Sequence, residues 1–190
     1  MKKLLLIAAL GVLPTLQSCT APLILAGAAG GIGYYFGSER RDTQTIREDE
    51  QAQQAMIELI KEAHINPEWV IVKVFNHKML LVGRVPSEEM VTTLSELAQQ
   101  VPYVEKVYNR VEVGEPLSRQ RATQDGLLLA KIKAKLIATK GINSATIHVL
   151  VFDGTVYLMG LVNDEEAQKA IDAVTQVKGV KKVINAMDPF

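Results

Sequence analysis

Met79-Leu80-Leu81-Val82-Gly83-Arg84-Val85 and Val156-Tyr157-Leu158-Met159-Gly160-Leu161-Val162 are two versions of one segment, 77 residues apart. In the first, Met79, Leu81, Gly83 and Val85 alternate as in a strand, and the second matches it position for position. The match extends outward at the same spacing: Phe75 corresponds to Phe152, Ile65-Asn66 to Ile142-Asn143, and Glu88-Glu89 to Glu165-Glu166. After one deletion the spacing becomes 76, and Val101, Val104, Val107 and Asn109 meet Val177, Val180, Val183 and Asn185. A fixed offset held over this length marks a duplicated unit, so the 190 residues hold two small domains.

Each unit predicts the same element order. In the first, Ala52, Ala55, Met56, Leu59, Ile60 and Ala63 form one apolar helical face. Val70, Val72 and Val74 then alternate, and the Met79–Val85 run follows as a second strand across the turn Asn76-His77-Lys78. Ser87 caps a helix carrying Met90, Val91, Leu94, Leu97 and Ala98, and Val104–Val113 closes the unit as a strand. In the second unit Leu128, Leu129, Ile132, Leu136 and Ile137 line the first helix. Ile147, Val149 and Val151 lead into Asp153-Gly154, a strong hairpin signal. Asp164 or Asn163 caps the helix bearing Ala167, Ala170, Ile171 and Val174, and Val180, Val183 and Ala186 belong to the closing strand. The fold class is α+β: two α-β-β-α-β units, each with helices on one face of a small mixed sheet and a right-handed strand-helix-strand crossover.

The N-terminus has a different fate. Lys2-Lys3, the apolar Leu4–Leu13 and then Leu16-Gln17-Ser18-Cys19 read as an export signal ending at a lipidation site. The apolar stretch is shorter than the roughly 20 residues of a stable span. Cys19 is the only Cys, which excludes a disulfide framework and a cysteine-rich zinc site and makes its thiol the lipid attachment point. Diacylglycerol on the thiol and a further acyl chain (palmitate) on the new amino group supply enough chains for stable anchoring. The chain therefore divides into a signal peptide (residues 1–18), a lipidated, Gly/Ala-rich segment and polar linker (19–45), and two folded units (46–114 and 115–190). The stretch Ala21–Gly37, ending Tyr34-Tyr35-Phe36-Gly37, lies at the lipid surface or packs on the folded part. Its Gly31-Ile32-Gly33 lacks a preceding strand, and Phe36 occupies the third glycine position, so it is not a nucleotide loop.

Charge separates the units. The total is balanced, 21 basic against 21 acidic residues, which argues against nucleic acid as a partner. Residues 46–114 hold 7 basic and 11 acidic residues, whereas 115–190 hold 10 and 8. Catalysis has no visible apparatus. His64, His77 and His148 fall at a helix end, in a turn and on the outward side of a strand, without metal-ligand spacing. Ser118, Ser144 and Thr146 have no evident base and orienting partner. Glu88-Glu89 and Glu165-Glu166 sit in first helical turns, where acidic groups complement the helix terminus. No enzyme, cofactor or metal is expected.

Leu80-Leu81-Val82-Gly83, Val107-Tyr108-Asn109, the Val156–Val162 run and Gly179-Val180-Lys181-Lys182-Val183 resemble BON domains, and the order of segments from Cys19 to Phe190 resembles dual-BON outer-membrane lipoproteins. The resemblance implies a lipid-anchored protein on the periplasmic side of the outer membrane. It also implies anionic phospholipid, such as phosphatidylglycerol or cardiolipin, as a partner of the second domain, gathering at division sites, and support of cell envelope integrity. In that family the contact surface is the first helix of the second domain, here roughly Asp125–Lys140, with Leu127 where the family favours Trp. Thr20, in place of Asp after the lipidated Cys, agrees with outer-membrane sorting.

The residues of that helix suit the same role. Lys131, Lys133, Lys135 and Lys140 lie on or beside it, behind Arg119 and Arg121, and Leu127-Leu128-Leu129 leads into it. Basic side chains beside exposed apolar ones match an anionic lipid surface. The expected lipid-binding residues are Leu127, Leu128, Lys131, Lys133 and Lys135, with Leu127 extra to the buried stripe. The competing class is a scaffolding module that binds envelope or outer-membrane assembly proteins without recognising lipid. An exposed Trp69, Tyr103 or Tyr108 favours it, a buried one favours packing.

Overall fold

The computed structural model describes residues 39–190. The expected signal peptide, Cys19, and the Ala21–Gly37 stretch lie outside the described residues.

The first unit runs α1 (Thr43–Glu62), a 3-10 turn (Pro67–Trp69), β1 (Val70–Phe75), β2 (Lys78–Val85), α2 (Glu88–Ala98) and β3 (Lys106–Val113). The second repeats it as α3 (Arg119–Ala138), a 3-10 turn (Ser144–Thr146), β4 (Ile147–Phe152), β5 (Thr155–Val162), α4 (Asp164–Thr175) and β6 (Lys182–Pro189). The sheets are ordered β1-β2-β3 and β4-β5-β6. In each the middle strand is antiparallel to its hairpin partner and parallel to the closing strand. This is the α-β-β-α-β order and mixed sheet that the repeat implies.

On one face of the first sheet, Val72, Val74, Met79, Leu81 and Val85 meet Ala52, Met56 and Ile60 of α1 and Leu94 and Ala98 of α2. The second unit builds its core from Leu128, Ile132, Leu136, Val156, Leu158 and Val174 in the same way. The opposite faces pack on each other, Phe75, Leu80 and Val82 against Tyr157 and Met159. The layers are thus helices, sheet, sheet, helices. The central strands β2 and β5 are covered on both sides, which is why the two deciding segments are apolar at nearly every position, Arg84 being the exception.

Two local devices are duplicated with the units. A Cβ on Gly83 would lie 2.2 Å from the Trp69 carbonyl oxygen, and one on Gly160 would lie 2.3 Å from that of Thr146. Only Gly lets the central strand pass so close to the chain entering its hairpin partner. Each hairpin turns on two residues with positive φ, Asn76-His77 and Asp153-Gly154. A buried helix carboxylate holds each turn. Asp49 of α1 accepts the N–H groups of Asn76 (2.7 Å) and His77 (2.8 Å). Asp125 of α3 accepts those of Asp153 (2.6 Å) and Gly154 (3.0 Å).

Several expectations are corrected. The first hairpin turn has two residues, because Lys78 already pairs with Phe75. Asn163 caps α4 through a capping box with Glu166, which leaves Asp164 inside the first turn. Helix α1 begins at Thr43, capped by Asp42, and α3 at Arg119, capped by Ser118. Thr43–Thr45 of the expected polar linker therefore belong to α1, and the two arginines ahead of it are tied down. Arg40 donates to the Leu161 carbonyl at 2.7 Å and pairs with Glu166 at 2.9 Å, while Arg41 pairs with Asp49 at 2.6 Å and lies 4.0 Å over the Phe75 ring. Adjacent arginines thus fasten the strap to opposite units.

Candidate functional site

Helix α3 turns Asp125, Leu128, Ile132 and Leu136 inward, a stripe of three- and four-residue steps. What remains outside is a crest of exposed apolar residues: Leu127 (61% exposed), Ala130, Ala134 and Ile137 (69%). Lys131 and Lys133 are exposed on either flank of that crest. From Gly126 to Gly141 there is no acidic residue.

The outer face of α3 therefore brings together Leu127, Lys131 and Lys133. Leu128 does not join them. It lies on the buried stripe, is 7% exposed and packs into the second unit's core, so its expected place among the contact residues is corrected. Lys135 is half-buried on one side of the helix, with its Nζ donating to Gln176 at 3.3 Å. Ile137, expected in the core, points outward, because Leu136 already completes the stripe and the next residue is rotated by about 100°. That rotation was the signal available in the sequence.

Beside α3 lies a cleft of about 910 Å³, between the helix, the free edge of β4 and strand β1 of the first unit. Leu129, Leu136, Ile137 and Ile147 line one side and Ile71 the other, with Lys73 and Lys133 also on its wall. His148 reaches into it. Its ring lies 4.9 Å from that of Phe75 and its Nε2 is buried without a hydrogen bond. The residue thus faces the first unit and not open solvent. Burial, helped by the nearby Arg41 charge, lowers its pKa, so the imidazole is neutral at physiological pH.

At the other end of β4, Asp153 gathers three cations. It accepts from Arg121 at 2.6 Å, Lys181 at 2.9 Å and Arg84 of the first unit at 2.7 Å. The hydrogen bond from Lys181, then those from Arg84 and Arg121, hold its carboxyl at about 2. Lys78 and Asp188 pair across the same junction.

His77 contacts Glu48 at 3.0 Å. Among the described residues no group of three or more His, Cys, Asp or Glu is placed to hold a metal ion, and no helix is long and apolar enough to cross a membrane. Trp69 packs on the first unit's core, and Tyr108 on the contact between the sheets; Tyr103 is 49% exposed.

A family model described as BON domain matches residues 48–115 and again 124–188. The chain is 31% identical to the Outer membrane lipoprotein DolP of Haemophilus influenzae, over 97% of this chain and 94% of that protein. It is 29% identical to the 21 kDa hemolysin of Actinobacillus pleuropneumoniae, over 69% of this chain and 65% of that one. Among solved structures, the C-terminal domain of CdsD, the structural protein of the Type III secretion system of Chlamydia trachomatis, aligns with 72% of this chain and 96% of that one. Its TM-score is 0.31 at 14% identity, too loose to carry an argument.

Proposed function

The chain belongs to the BON-domain family, with two copies in tandem, and from that premise we propose a non-enzymatic lipoprotein of the outer membrane, facing the periplasm. Cys19 carries the lipid anchor, and the second unit lays the outer face of α3 on anionic phospholipid. The protein supports envelope integrity, and its family resemblance extends this to division sites. The near full-length similarity to an outer-membrane lipoprotein supports the location.

The observation that carries the lipid reading is the make-up of α3's outer face. Leu127 and Ile137 stand exposed on a crest flanked by Lys131 and Lys133, with no carboxylate along the stretch. An interfacial helix needs this combination: apolar side chains to enter the acyl boundary and cations to meet anionic headgroups. Leu127 supplies the apolar part without the indole that would anchor at headgroup level.

The test is an NMR titration of residues 39–190 with phosphatidylglycerol micelles and with matched phosphatidylcholine micelles. Shift changes centred on Leu127, Lys131 and Lys133 and confined to the anionic micelles are expected. The double variant Lys131→Glu, Lys133→Glu should lose them. Equal perturbations in that variant, or perturbations confined to the first unit, would overturn the assignment.

A further inference from the structure

The cleft beside α3 is not needed for a helix to rest on a membrane. We propose that it takes one acyl chain of an anionic phospholipid from the surface on which α3 lies, an inference that rests on the lipid reading above. The volume, about 910 Å³, falls in the range of sites that enclose small molecules, roughly 300–1,000 Å³. Its lining is the kind an alkyl chain needs. Ile71, Leu129, Leu136, Ile137 and Ile147 are all aliphatic, and the first unit's β1 closes the side opposite α3.

Charge fixes the kind of amphiphile. Two lysines, Lys73 and Lys133, lie on the wall and no Asp or Glu lines it; the Glu39 carboxylate, 3.6 Å from His148 Nε2, is already paired with Arg41 at 2.9 Å. An empty apolar groove leaves those methyl groups against water, whereas a chain covers them while its phosphate stays near the two ammonium groups. A zwitterionic or cationic headgroup would bring a positive charge to the same lysines. His148 adds nothing cationic, because it is held neutral.

Position links the cleft to the membrane. Lys133 and Ile137 belong both to α3's outer face and to the cleft wall. A chain can therefore pass from the bilayer into the cleft along one continuous apolar path, with its headgroup at Lys133. The far wall, Ile71 and Lys73, belongs to the first unit. The site thus needs both units, which surface contact by α3 does not.

The experiment places the full lipid-anchored chain in phosphatidylcholine bilayers doped with phosphatidylglycerol bearing a diazirine at the end of one acyl chain. Adducts are mapped by mass spectrometry after irradiation. Adducts at Ile71 and Val149 are expected, in addition to those at Leu127. Two variants should lower the Val149 adducts at least about fivefold without changing those at Leu127: Ala145→Trp, which fills the cleft and should lower the Ile71 adducts as well, and Ile71→Glu, which sets a carboxylate on the wall at a side chain already 38% exposed. Adducts at Leu127 with none at Ile71 or Val149 would overturn the cleft and leave surface contact standing. Adducts at none of these positions would overturn both readings. Persistence of the cleft adducts in both variants would also overturn the cleft.

Discussion

Asp125 of α3 accepts the backbone N–H of Asp153 at 2.6 Å across 28 residues, and Asp49 of α1 holds Asn76 in the corresponding place at 2.7 Å. Neither carboxylate is a surface group; each is nearly buried, 6% and 3% exposed. Each fills the acceptor role that the outward-turned amides of a two-residue turn require. Replacing Asp125 with Ala strands two turn N–H groups. The expected cost is about 3 kcal/mol, the range for losing charge-assisted hydrogen bonds and leaving donors unsatisfied. Urea unfolding should register it, with Asp125→Asn falling between the variant and the parent.

Gly160 and Gly126 predict opposite outcomes for the same substitution. Alanine at 160 drives a methyl into the Thr146 backbone, where no side chain can move aside, and costs at least about 2 kcal/mol. Alanine at 126 meets nothing within 4 Å in the first half of α3 and gains about 0.5–1 kcal/mol of helix propensity. Thermal unfolding of the pair checks both signs. A destabilised Gly126→Ala would contradict the open space around this glycine.

The Asp153 carboxyl is held at about 2 in the folded chain against an ordinary 3.8, chiefly by Lys181 and then by Arg84 and Arg121. Its folded value is the lower one, so the unfolded chain binds the proton first on acidification. The stability it contributes is whole above about pH 4 and is lost as pH falls toward about 2. Asp153→Asn, which keeps a residue tolerant of positive φ, should flatten the stability profile in that window and leave its shape at neutral pH unaltered.

Arg41 and Asp49 form a pair in which both side chains are almost out of water, 9% and 3% exposed. Removing the guanidinium by Arg41→Ala should cost about 3 kcal/mol, since the buried carboxylate loses its counter-charge. By the same reasoning a fragment starting at residue 46 unfolds at lower urea than one starting at 39. Equal midpoints would show that the strap does not hold the units.

Membrane contact should separate into two parts. Lys131→Gln with Lys133→Gln should weaken binding to phosphatidylglycerol vesicles by roughly 30-fold at low salt, at about 1 kcal/mol for each lysine near an anionic surface. The difference should shrink as salt rises. Leu127→Ser should weaken binding by an amount that salt leaves nearly constant. Vesicle sedimentation over a salt series distinguishes them.

The repeat made the fold legible. Once the 77-residue offset fixes two like units, helical and strand periodicity within each gives the element order, since periodicity is a property of one strand or helix at a time. The site was legible in part. Leu127 stands outside the buried stripe by its position in the helix, and so does Ile137, which a count of apolar residues wrongly gave to the core. Leu128 was drawn to the site by its neighbours in sequence, although the stripe claims it. What spacing cannot give is contact between units. Arg40 and Glu166 are 126 residues apart, and nothing local to either announces the other. The same holds for Arg84 with Asp153, and for the cleft, whose two walls come from different repeats. Asp49 and Asp125 are the missed signal that could have been found: they match at the offset of 76, like the closing strands.

Packing the two sheets back to back has a consequence for how the molecule meets a charged surface. The helix layers point in opposite directions, and the layers are not alike: the first unit is acidic on balance and the second basic. The stack is therefore electrically polar along its own axis. Near any negatively charged surface such a body experiences a torque before a side chain makes contact, and the torque turns α3 toward the surface and α1 away from it. With the proposed anchor at Cys19 in place, the order of the layers decides which way up the chain lands.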